Sequence, residues 1–147
     1  MSLKNILNVS RISRIERTSE EKSNVLLSLF TVIGMATVLM QITLDSINGL
    51  YSVVLYESIM LVVFFAAYML NELKYHLAAK ITFLTFLNTA VFVLANIVPK
   101  DIGVYFYFFP TIGITSLVFE KDYSLLRNSY IALPILLIIT LELSNYQ

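Results

Sequence analysis

Few residues in this chain have the chemistry to hold a ligand or a proton. Glu57, Asn88, Tyr105, Tyr107 and Glu142 stand out because each falls within a long apolar run, with Gln41 and Asn96 in similar settings. An ionisable group at the centre of a membrane helix costs about 2.5–3.5 kcal/mol on insertion scales, so Glu57 points to function. The chain has no cysteine, which removes disulfides, thiol nucleophiles and thiolate metal sites. A single histidine, His76, argues against a histidine-based metal site. No H-E-x-x-H, G-x-S-x-G or P-loop pattern occurs. We therefore expect no catalytic residue, metal or cofactor in this chain.

The elements that position these residues follow from composition. Of the 147 residues 58% are apolar and 14% charged, with a mean hydropathy of +0.79. Ordinary globular chains run roughly 45–50% apolar and about 25% charged. The excess is blocked into runs near the length needed to cross roughly 30 Å of hydrocarbon, about 20 helical residues. Five spans are expected, at 24–44, 50–70, 77–98, 102–119 and 128–143. The connections are short, which forces antiparallel neighbours. The expected fold is all-α, an up-down bundle of five transmembrane helices whose partner is the lipid bilayer. Ten basic and ten acidic residues cancel, so no nucleic acid or other polyanion is implied.

Basic residues set the orientation. With the N-terminus in the cytoplasm, nine of ten (Lys4, Arg11, Arg14, Arg17, Lys22, Lys74, Lys80, Lys121 and Arg127) lie inside and Lys100 outside. Residues 1–23 lack the apolar core of a signal peptide and read as a cytoplasmic segment, either a short interfacial helix or a solvated tail. Thr18 and Glu21 form a capping box that predicts a helix start near Ser19. Five spans from an inside start place the C-terminus outside. A sixth span would return the chain to the cytoplasm, so we expect either a piece of a longer protein or a five-span bundle.

In this frame Glu57 lies roughly 10 Å below the outer edge of the hydrocarbon. Asn88 falls near mid-membrane, Tyr105 and Tyr107 in the first turns of span four, and Glu142 at the outer end of span five. The outer half thus gathers donors and acceptors for a small ligand or proton. The plainer readings stay open. Glu57 can be protonated and bonded to a neighbouring helix, Asn88 can serve as helix–helix glue, and the tyrosines can form an aromatic belt. If Glu142 met Glu57, the two carboxyl groups would share one proton. Pro110 and Pro134 interrupt spans four and five as hinges or static kinks. Gly34 with Ala36 and Thr37 forms a small patch for close packing. Glu72, Lys74, His76 and Lys80 share one side with Glu120, Lys121, Asp122 and Arg127, where charged pairs are geometrically allowed.

From the end of the second span onward a set of motifs follows in order: Tyr68-Met69-Leu70-Asn71, Ala78-Ala79-Lys80, Gly103-Val104-Tyr105-Phe106-Tyr107-Phe108-Phe109-Pro110 and Leu117-Val118-Phe119-Glu120-Lys121. Over about residues 50–143 the chain resembles the six-helix membrane module of Bacteroidetes sensor histidine kinases and class III adenylate cyclases. The turn after the first motif often holds glycine in that family. Here it reads Glu72-Leu73-Lys74-Tyr75-His76. The resemblance implies a sensory input module in the bacterial inner membrane, homodimeric through a full-length receptor, with an unidentified small ligand. A proton- or cation-coupled transporter subunit and a structural subunit of a membrane complex are the alternatives.

Overall fold

The computed structural model describes the chain over residues 3–97, 104–119 and 121–144, and its side chains over 19–96, 106–119 and 122–143. The fold is all-α. Its helices are α1 (Leu3–Ile47), α2 (Tyr51–Glu72), α3 (His76–Ile97), α4 (Phe108–Val118) and α5 (Ser124–Ser144), with 3₁₀ turns at Val104–Tyr107 and Lys121–Tyr123. Four helices are long and apolar enough to cross a membrane, and α4 is a shorter apolar helix. This pattern suggests a membrane protein.

Two expectations change. Helix α1 does not start at the Thr18–Glu21 capping box but runs unbroken from Leu3. No glycine or proline lies between Leu3 and Ile33, so nothing in the backbone stops the helix there. The fourth span is shorter than 102–119. Helix α4 has 11 residues, about 16 Å, and begins after the 3₁₀ turn. Pro110 therefore occupies the first turn of α4, where its missing N–H leaves nothing unpaired. A helix running through this segment would set the proline ring against the Phe106 carbonyl. Pro134 lies inside α5 and is buried. It removes the helical donor for the Tyr130 carbonyl.

Helix α1 lies antiparallel to α2, α2 to α3, and α3 packs also on α1, α4 and α5. The first two turns share one mechanism. After α1, Gly49 (φ 74°) lets the Leu50 and Gly49 N–H groups donate to the carbonyls of Asp45 (2.9 Å) and Ser46 (3.2 Å). After α2, Lys74 (φ 69°) does the same, with Tyr75 and Lys74 donating to Leu70 (2.9 Å) and Asn71 (3.1 Å). Both are Schellman caps, which satisfy the orphan carbonyls of a helix end. The second takes lysine where glycine fits without strain.

Polarity runs inward. Leu55, Val62 and Leu125 are 67%, 66% and 79% exposed, whereas Thr31, Asn71, Lys80 and Asn88 are buried. The larger core cluster joins Leu27, Val38, Phe64, Ala67, Ala79, Phe83, Leu84, Val118 and Phe119. At its centre Phe64 lies against Gly34, where an added Cβ would meet the ring at 2.9 Å. The Phe64 ring also meets Phe83 (5.5 Å) and Phe86 (6.2 Å, edge-on). A second cluster of Val91, Phe108 and Leu141 joins α3, α4 and α5 nearer the other end.

Two substitutions test this account. Gly34→Val should drive α1 from Phe64 and cost about 1–3 kcal/mol. Lys74→Gly should relieve the left-handed backbone and add about 1 kcal/mol. Both are read from unfolding of the detergent-solubilised protein.

Candidate functional site

The α1–α2 turn builds the most unusual feature of the bundle. Its Schellman cap keeps α1 helical through Ile47, so Asp45 belongs to the last turn of α1 and not to a loop. Antiparallel pairing with α2 then places the Asp45 carboxyl within hydrogen-bonding reach of Glu57. Asp45 is 8% exposed and Glu57 6%. One turn back along α1, the exposed Gln41 donates through Nε2 toward Asp45 Oδ2 at 3.5 Å. Among the described residues Glu57 Oε2 is buried with no hydrogen-bond partner. On α2, the Tyr56 hydroxyl donates to the Ala90 carbonyl of α3 at 3.4 Å. This ties the acidic hairpin to the third helix.

The other predicted residues do not converge on this pair. The carboxylate that Glu57 meets is Asp45, not Glu142. Glu142 is exposed on α5, which packs on α3 and α4. Asn88 is buried, but Nδ2 donates to the Leu84 carbonyl of its own helix at 2.8 Å. Its Oδ1 lies 3.4 Å from Thr111 Oγ1 of α4, a hydroxyl that also reaches the Phe108 carbonyl at 2.7 Å. Asn88 thus joins α3 to α4. Tyr107 is exposed, and the Tyr105 side chain lies outside the described residues. Near the start of α5, the Tyr130 hydroxyl meets Thr85 Oγ1 at 2.6 Å, one turn before Pro134.

A second polar cluster closes the opposite end. Asn71 Nδ2 donates to the Asn24 carbonyl (2.9 Å) and to Ser28 Oγ (2.8 Å) of α1. With both donors so used, Asn71 Oδ1 accepts from His76 Nδ1 at 2.7 Å, which fixes the proton on that nitrogen. Ser23 Oγ donates to the Val118 carbonyl, linking α1 to α4. His76 therefore bonds within its own turn. Glu72, Lys74 and Asp122 are exposed, Lys80 is buried, and Glu120 and the Lys121 side chain lie outside the described residues.

Sequence reasoning missed Asp45, Asn71 and Ser23 as structural partners. For Asp45 a signal was present. Asn48-Gly49 reads as a helix C-cap, which extends α1 and moves Asp45 inside it. Comparison with family models, curated proteins and solved structures finds no match for this chain.

Asn71 offers a test of the cluster at the α2–α3 end. Asn71→Leu removes the side-chain tie to Asn24 and Ser28 and leaves the His76 Nδ1–H without its acceptor, and should cost about 1–3 kcal/mol. Asn71→Asp keeps the volume but loses both donors, and should cost at least as much. Thermal unfolding in detergent compares the two.

Proposed function

We propose that this chain is the membrane-embedded input module of a bacterial signalling receptor, seated in the inner membrane with its N-terminus in the cytoplasm. One observation carries the reading. A buried acidic pair joins α1 and α2 at the end that the charge distribution assigns to the outside. A stimulus reaching Asp45 and Glu57 acts on the spacing of two helices that continue to the opposite end. There Asn71 joins the same two helices. Input at one end and a polar tie at the other suit a population shift between two helix arrangements, provided the stimulus favours one of them. The resemblance to kinase and cyclase membrane modules supports the same reading, with homodimerisation through the receptor.

The unpartnered Glu57 Oε2 favours a second reading, a proton- or cation-coupled transporter subunit. Reconstitution into liposomes separates the two. An input module gives proton and cation flux no greater than empty liposomes, and a transporter gives flux that Glu57→Gln abolishes. Orientation has its own check, aided by the absence of native cysteine. A cysteine replacing Lys74 should be labelled only from the cytoplasmic side, and one replacing Gly49 only from outside. The reverse pattern overturns the assignment of Asp45 and Glu57 to the outer end.

A further inference from the structure

We propose that Asp45 and Glu57 hold one exchangeable proton between them, and that this proton keeps the α1–α2 end of the bundle closed. The proposal deepens the input-module reading by naming its stimulus, and it rests on that reading only for its use by the cell.

Both residues are more than nine-tenths buried, at 8% and 6% exposure. Their carboxyl groups meet between α1 and α2, and Gln41 donates to Asp45. Glu57 still has a buried oxygen with no partner among the described residues. Two ionised carboxylates in contact, away from water, repel strongly, so such pairs hold a proton or a cation.

The described helices supply no such cation near the pair. Between Lys22 and Asp45, about 34 Å of helix, α1 has no charged residue. The titratable groups of α2 are Tyr51, Tyr56, Tyr68 and Glu72 besides Glu57, none of them basic. Those of α3 are His76 and Lys80, in its first turns at the far end, and α4 has none. Helix α5 has Arg127 and Tyr130 toward that same far end, and near the pair's end only Glu142, itself acidic and exposed. Tyr107 is exposed, and Lys100, Asp101 and the Tyr105 side chain lie outside the described residues.

A proton suits the site better than a metal ion. Calcium takes six to eight oxygen ligands and magnesium demands an octahedron. The pair offers two carboxyl groups and the Gln41 amide oxygen. With one proton, one carboxyl donates and the other accepts, and the pair holds a single negative charge. Release breaks one O–H bond and hands the proton to water or base at the nearby turn. Two negative charges then face each other, and α1 and α2 separate at that end.

Infrared titration of the full chain in lipid nanodiscs tests the proton. The expected result is a protonated-carboxyl band at neutral pH that is lost on alkaline titration and is missing from the Asp45→Asn, Glu57→Gln double variant. Glu57→Gln alone keeps a donor in place of the acid and should fold like the natural chain. Absence of the band at neutral pH, or its survival in the double variant, overturns the proposal. Loss of the band on adding sodium at fixed pH also overturns it, in favour of a metal cation. Spin labels on cysteines replacing the exposed Thr43 and Leu55 test the closing role. Their separation should grow over the same pH range and stay constant in Glu57→Gln. An unchanged distance in the natural background overturns that role. These measurements need no signalling output, so their failure leaves the input-module reading standing, and its failure leaves them intact.

Discussion

Phe64 rests on the bare backbone of Gly34, and this contact sets how near α1 and α2 come to one another. Much else follows from that spacing. Two capped turns of the same type fix where each helix ends, so one close approach in the middle determines the pairing along the whole hairpin. Toward one end the register brings Asp45 to Glu57. Toward the other it brings Asn71 to Asn24 and Ser28. The Phe64 ring then seats Phe83 and Phe86, which carries the same register into α3. A larger residue at position 34 would disturb polar contacts at both ends, although it touches neither.

The bundle handles polarity in two distinct ways. Exposed hydroxyls, including Thr37, Thr43, Thr89, Ser116 and Thr140, donate to carbonyls four residues back in their own helices. These groups are satisfied locally and need no neighbour, as lipid would require. Bonds between helices are fewer and do the specifying. Ser23 meets α4, Asn71 meets α1, Tyr56 meets α3, and Thr85 meets α5. Apolar contacts between helices lose much of their driving force in hydrocarbon, so these few bonds and the close packing at Gly34 carry more of the choice among arrangements.

How much was legible in the sequence depended on the range of the interaction. Helices α2 and α3 could be placed within two residues at each described end, because an apolar run of bilayer length is a property of composition. Gly34 could be singled out because small residues have few other uses in such a run. The errors came from backbone detail. Asp45 read as a loop residue because charge suggests water, whereas the Gly49 cap holds it in the helix. The Thr18–Glu21 pair looked like a start signal, yet a cap matters only where the chain before it stops being helical. Pro110 looked like a break in a long span, and the helix instead begins beside it. The partner of Glu57 was missed for the same reason: the short connection already made the first two spans antiparallel neighbours, but with Asp45 left in the turn only Glu142 was weighed against Glu57.

The length of α1 gives the hairpin a mechanical character. As one uninterrupted helix of 45 residues it spans about 68 Å, more than twice the thickness of a bilayer's hydrocarbon. The contact with Phe64 lies off centre on this rod. Measured along the axis, Asp45 is about 17 Å from Gly34 and Leu3 about 47 Å away on the other side. Gly34 thus divides α1 as a fulcrum divides a lever with unequal arms. A tilt about that point that moves Asp45 by about 1 Å carries the far end nearly 3 Å in the opposite direction.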